Sequence, residues 1–124
     1  MTVQKHELKI STTGGAGVAT GSGILSLPLC ELLAIYLDYH ASAPGTTDVT
    51  AKSVGDPATV TLLTRSNSAT DAWLYPTVNV HNDVAAAVTG AQAPPVIHAG
   101  ALSIDVAQSD ALTDCLIATI YVRV

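Results

Sequence analysis

The chain has 124 residues, a net charge of −5, and 12% charged residues, about half the roughly 25% usual for a soluble globular domain. Its cations, Lys5, Lys9, Lys52, Arg65 and Arg123, are scattered along the sequence, which excludes the grouped positive footprint that nucleic-acid binding needs. Hydrophobic residues make up 48% with no Phe and a single Trp, so the apolar content is Ala, Val, Leu and Ile, of which Val and Ile favour pleated surfaces.

The length suits one domain, residues 1–124, able to bury about two-thirds of its unfolded surface without staples. Val3 to Thr13 alternates and predicts a half-exposed strand. Residues 1–23 read as this extended strand followed by a Gly-rich segment, with Gly14, Gly15, Gly17, Gly21 and Gly23 between Thr12 and Gly23. That segment lacks the Gly-Lys-Ser/Thr end of a phosphate loop and the third Gly of a dinucleotide fingerprint. It predicts tight turns or close backbone approach, with Val18 to Thr20 as a short strand.

Leu29 to Ala41 is the longest apolar run. Leu29, Leu32, Leu33, Tyr36 and Leu37 have helical spacing, and Pro28 would suit a first helical position. Ile35, Tyr36 and Tyr39, and the strand-like neighbours, favour a strand instead. The strand reading places Leu29, Leu33, Ile35, Leu37 and Tyr39 on one face with Glu31. Cys30, Leu32, Ala34, Tyr36, Asp38 and His40 fall on the other. Apolar on both faces, the strand is expected to be central, with one face in the core and part of the other covered by an arm or a neighbouring subunit. The stretch from Ile24 to Leu37 is too short for a membrane span and is interrupted by Pro28 and Glu31. No apolar core follows Lys5 and Lys9 as in a signal peptide. The expectation is a soluble protein made in a cytoplasm.

Ser42 to Thr47 predicts a turn, Asp48 to Val54 a strand, and Gly55-Asp56-Pro57 a turn. Ala58 to Arg65 predicts a strand with Val60 and Leu62 on one face. Asp48 and Asp71 read as turn-stabilising residues. Trp73-Leu74-Tyr75-Pro76, followed by Thr77-Val78-Asn79-Val80-His81, reads as an edge strand, a bulge or a strand start, because Pro76 cannot donate to a ladder. Asn82 to Gly100 reads as a long connection containing Pro94-Pro95, with a short strand or helical turn at Val84 to Thr89, and connections of this length are usually functional. Ala101 to Ala107 alternates, with Leu102, Ile104 and Val106 on one face, and Gln108 to Asp110 predicts a turn. In the final strand Leu116, Ala118, Ile120, Val122 and Val124 face one way, and Thr119, Tyr121 and Arg123 the other. The whole predicts an all-β chain, an antiparallel β-sandwich, jelly-roll-like, of seven to nine strands with long connections.

No catalytic signature occurs. There is no Gly-x-Ser-x-Gly, no Cys-x-x-Cys and no His-Glu-x-x-His, so the chain reads as no enzyme, with no cofactor and no metal site. His81-Asn82-Asp83 could supply two metal ligands, although a loop-capping role suits them better. Cys30 and Cys115 read as buried thiols, and a disulfide between adjacent strands stays open. The low charge leaves two ways to cover the surface, Ser and Thr or contact with other subunits. Candidate interface or packing anchors are Trp73, Tyr75, Pro76, Tyr36, Leu32, Pro94 and Pro95. A carbohydrate-binding sandwich with Trp73 and Tyr75 stacking on sugar is an alternative.

The segments Leu33-Ala34-Ile35-Tyr36-Leu37-Asp38-Tyr39-His40, Ala43-Pro44-Gly45-Thr46-Thr47-Asp48-Val49-Thr50, Asp71-Ala72-Trp73-Leu74-Tyr75-Pro76 and Val80-His81-Asn82 together resemble small head-associated proteins of tailed bacteriophages. The resemblance covers about residues 24–124 and is a loose consensus of strands and turns. It implies a capsid decoration (cement) protein with a β-sandwich or jelly-roll fold. The implied partners are the major capsid protein and further copies of the chain, as a homodimer or homotrimer, with neither nucleic acid nor membrane. The implied location is the outer surface of the virion. A neck, spike or other head or tail structural protein is the nearest alternative.

Overall fold

The computed structural model describes residues 2–55, 58–81, 84–97 and 100–124. Among them the regular elements are all strands: β1 Val3–Ile10, β2 Ala19–Leu27, β3 Cys30–Tyr39, β4 Asp48–Val54, β5 Val60–Arg65, β6 Ala72–Leu74, β7 Val78–His81, β8 Ala87–Ala93, β9 Val96–Ile97, β10 Gly100–Ser109 and β11 Leu116–Arg123. No helix of the described residues is long and apolar enough to cross a membrane. The Gly55-Asp56-Pro57 turn and the His81-Asn82-Asp83 pair fall partly, and His98 wholly, outside the described residues.

Two antiparallel sheets pack face to face. One runs β1-β11-β3-β6, with β9 also on β3, and the other runs β2-β10-β4-β5. The pairing is nested: β1 with β11, β2 with β10, β3 with β6 and β4 with β5. Such an order arises when one long hairpin is folded over itself, as the eight strands of a jelly roll are. Within the long connection expected from Asn82 to Gly100, the described residues include two strands. β8 pairs with β7 in a separate two-stranded ribbon, and β9 returns to the edge of β3.

The core is aliphatic. Leu32, Ile35, Leu37, Leu102, Ile104, Leu116, Ile120 and Val122 are fully enclosed between the sheets. The central-strand expectation for Leu29 to Ala41 holds from Cys30 to Tyr39, since β3 has β11 on one side and β6 and β9 on the other. Its face assignment needs correction. Tyr121 pairs with Ala34 and Val122 with Leu32, so Leu33 is an extra residue. This β-bulge shifts the side-chain period by one. Cys30 and Leu32 therefore join Ile35, Leu37 and Tyr39 inside, and Leu29 lies outside the strand and is exposed. A second irregularity, between Ala51 and Lys52 in the pairing of β4 with β5, lets the adjacent Leu62 and Leu63 both pack on the core. Simple alternation separates those two residues.

The Gly-rich segment divides. Gly21 and Gly23 belong to β2, where β1 crosses at close range. A Cβ on Gly21 would collide with the Ser11 carbonyl oxygen, and one on Gly23 would lie 2.9 Å from Leu8 Cδ2. Residues 11–18 form a loop tied to the β10–β11 connection: the Gly17 amide donates to Asp110 Oδ1 at 2.8 Å, and the Leu112 amide to Thr12 Oγ1 at 3.0 Å. The bonds of Asp48 and Asp71 are long-range rather than the local bonds of turn residues: their carboxylates accept from the distant Asn67 and Tyr39 amides at 2.9 and 2.8 Å and tie separate segments together. Cys30 and Cys115 are free buried thiols, and Cys115 Sγ lies 3.4 Å from the buried Ser109 Oγ.

On the outer face of the second sheet Asp105 links three strands. It accepts from Ser22 Oγ at 2.7 Å and meets Lys52 Nζ at 3.2 Å. Burial pushes its carboxyl upward, but the Ser22 hydroxyl, the Lys52 ammonium and Ser103 outweigh burial and hold it below its ordinary value. A carboxylate depressed in the folded state stabilises the fold above its unfolded pKa, about 3.9, and that contribution fades as pH falls through the lower, folded value. The wild type should thus lose more stability than Asp105→Asn between about pH 5 and pH 2, read as urea midpoints. Equal losses would show that the carboxylate adds nothing.

Candidate functional site: the outer face of the first sheet

Opposed residues in antiparallel strands share a face, so the pairing builds the outer surface of the first sheet rung by rung. One rung is Glu7, Thr119, Tyr36 and Trp73 across β1, β11, β3 and β6. Beside it lie Lys5, Tyr121 and Ala34 on one side, and Lys9, Ile117 and Asp38 on the other. At the far end Val3, Arg123, Glu31 and Val96 make a fourth rung.

The aromatic residues gather here. Trp73 is half exposed (50%) and Tyr75 more so (68%). The Trp73 ring lies 4.9 Å from Tyr36, 5.8 Å from Tyr121, and 6.5 Å from Tyr75, with the last pair 13° from parallel. The chain holds only one Trp, four Tyr and no Phe, so four of its five aromatic residues meet at one surface. The fifth, Tyr39, is buried, with the Arg65 guanidinium carbon 5.7 Å from its ring centroid. Burial pushes the Tyr39 phenol upward, partly offset by that guanidinium.

The opposite outer face contrasts with this one. Across β2, β10, β4 and β5 it shows Ser22, Asp105, Thr50, Lys52, Thr61 and Thr64, with Ser103 buried among them and Ile24 its one large exposed aliphatic on β2. Ser and Thr coat one sheet and aromatic rings the other. An exposed aromatic patch is the mark of an interaction surface.

Of the predicted anchors, the structure brings Tyr36, Trp73 and Tyr75 together. Leu32 is fully buried and so packs the core rather than a partner. Pro76 and Pro95 are also buried and Pro94 is half buried. The Leu32 amide donates to the Pro95 carbonyl at 2.9 Å, so Pro95 fills the edge of β3 between β6 and β9. Tyr121 was missed as a member of the cluster. Its outward direction follows from alternation in the last strand, but its place beside Trp73 depends on the order β11-β3-β6.

A cleft of about 290 Å³ opens at the end of this face, lined by Leu29, Cys30, Glu31, Val96, Arg123 and Val124. Glu31 and Arg123 meet across it at 3.5 Å. The volume sits at the lower limit of small-molecule sites, which run from roughly 300 to 1,000 Å³. Burial pushes the Cys30 thiol upward, away from nucleophilic use. Among the described residues no three His, Cys, Asp or Glu side chains gather as a metal ion would require. The face can stack rings, bury apolar area and pair charges.

No protein-family model and no curated protein matches this sequence.

Proposed function

We propose that this chain is a structural virion protein that decorates the outer surface of a phage capsid and stabilises it by bridging neighbouring major capsid proteins. The observation that carries the reading is the two-faced sandwich, one sheet coated with Ser and Thr and the other presenting Tyr36, Trp73, Tyr75 and Tyr121. Trp and Tyr dominate the energetics of protein contacts, and a lattice clamp acts by buried area. The resemblance described above supports the same conclusion. In this reading the chain works as a homo-oligomer, with neither cofactor nor nucleic acid.

Purified protein mixed with expanded, undecorated capsids should bind saturably, in hundreds of copies per particle. A ceiling of about a dozen copies would point to a neck or spike component, and no binding at micromolar protein would overturn the reading, since a standard interface supports at least that affinity.

A second reading is favoured by the near-parallel, exposed Trp73 and Tyr75 rings, which could stack on the apolar face of a sugar. Glycan-dependent quenching of the single Trp would support a carbohydrate-binding sandwich. Fluorescence unchanged by a panel of glycans would remove it.

A further inference from the structure

The aromatic face is divided by charge along its length. β1 and β11 carry Lys5, Lys9 and Arg123 against one acid, Glu7. β3 carries Glu31 and Asp38, and neither it nor β6 or β9 carries a cation. The ion pairs within the face, Lys9 with Glu7 at 3.9 Å and Arg123 with Glu31 at 3.5 Å, are partly exposed and hence weak, so these charges stay available to a second surface.

We propose that this face pairs with the same face of a second copy of the chain, about a two-fold axis running along the strands. The inference deepens the homo-oligomer of the preceding reading and rests on that reading for the presence of a second copy. Most oligomers are closed by such isologous contacts, and the charge layout selects between the two ways to build one. An axis across the strands would lay β1 on β1, setting Lys against Lys. An axis along the strands lays β11 over the partner's β3 and β1 over the partner's β6. The cationic half then meets the acidic half in both directions at once. The same arrangement brings Lys5 and Lys9, which flank Glu7 in the rung that ends at Trp73, to the exposed Trp73 and Tyr75 rings of the other copy. An ammonium over a Trp or Tyr face is attracted by the ring quadrupole.

The area is adequate. Four strands about 4.8 Å apart and eight residues of about 3.4 Å give a face of roughly 500 Å², or about 1,000 Å² from two copies. That is the lower end of specific interfaces, so the dimer should dissociate in the micromolar range.

Sedimentation equilibrium of the full chain from about 1 to about 200 µM covers that range. The expected result is a monomer–dimer equilibrium weakened by salt, with Trp73 emission moving to the blue as the dimer fills. Lys5→Glu with Lys9→Glu should weaken the dimer at least about tenfold, and so should Glu31→Lys with Asp38→Lys, because each places like charges face to face. Mixing the two variants should restore a heterodimer. Trp73→Ala should keep the far-ultraviolet spectrum of the fold and lose at least about tenfold in dimer affinity. A wild type that stays monomeric at the highest concentration overturns the pairing, as do charge variants that dimerise normally or a mixture that fails to associate. A monomer that still binds expanded capsids overturns the pairing alone. A dimer that ignores capsids overturns the decoration reading alone.

Discussion

Gly21→Ala should destabilise the fold by about 3 kcal/mol, at the upper end of what overpacking usually costs. The new methyl group would overlap the Ser11 carbonyl oxygen, and backbone cannot rotate away as a side-chain end can. At Gly23 the obstacle is the tip of Leu8 at 2.9 Å and Ile10 at 3.0 Å, so Gly23→Ala should cost less, after a shift of those side chains. Gly17 has open space around it but a φ of 74°, so Gly17→Ala should cost only the roughly 1 kcal/mol of left-handed strain. Urea midpoints of the three variants should follow that order. If Gly21→Ala unfolds no earlier than Gly17→Ala, the close crossing of β1 over β2 is wrong.

That crossing shows what the sequence could and could not reveal. Five glycines in twelve residues announce close approach or tight turning, and both occur. Which glycine does which depends on β1 lying over β2, and these two strands belong to different sheets. The regular strands were legible wherever apolar and polar residues alternate, as in Leu102, Ile104 and Val106 or in Leu116, Ala118, Ile120 and Val122, because one buried face imposes a period of two. The reading failed at Leu33 and at Leu62-Leu63, where an extra residue shifts that period. A bulge is a property of the pair of strands, so one strand's sequence cannot locate it. The β7–β8 ribbon was legible only in part: a strand reading reaches His81 and a short strand or helical turn is expected at Val84 to Thr89, but Ala85 to Ala93 is rich in Ala, with Gly and Thr, and carries little strand propensity of its own, so the extent of β8 and its pairing were not. For the site, Tyr36, Trp73 and Tyr75 were picked out by residue type. Tyr121 and the charge division needed the strand order, which joins residues more than eighty positions apart.

The bulge in β3 carries the second large prediction, a contrast between two single-residue deletions. Leu33 and Thr119 are both half-buried outer-face residues on interior strands of the same sheet. Removing Leu33 removes the extra residue of the bulge. Glu31, Leu32, Ala34 and Ile35 would then face Arg123, Val122, Tyr121 and Ile120 in uninterrupted order, with every core residue still inside. The other edge of β3 would lose one residue between the positions held by β9 and β6, and the long segment joining those two strands can absorb it. Removing Thr119 does the reverse. β11 pairs without a bulge of its own to β1 and lies between β1 and β3. The deletion must turn either Leu116 and Ala118 or Ile120 and Val122, all now fully buried, out to solvent. Exposing two such side chains costs roughly 3–6 kcal/mol for Ile120 and Val122 and somewhat less for Leu116 and Ala118. Shifted pairing with both neighbours adds to that, against a total stability of about 5–15 kcal/mol. The Leu33 deletion should therefore yield a folded protein with a cooperative melt, less stable by about 2 kcal/mol. The Thr119 deletion should yield none, as judged by soluble expression and circular dichroism. A folded Thr119 deletion, or a Leu33 deletion as damaging as it, would mean that the register between β3 and β11 is not the one described.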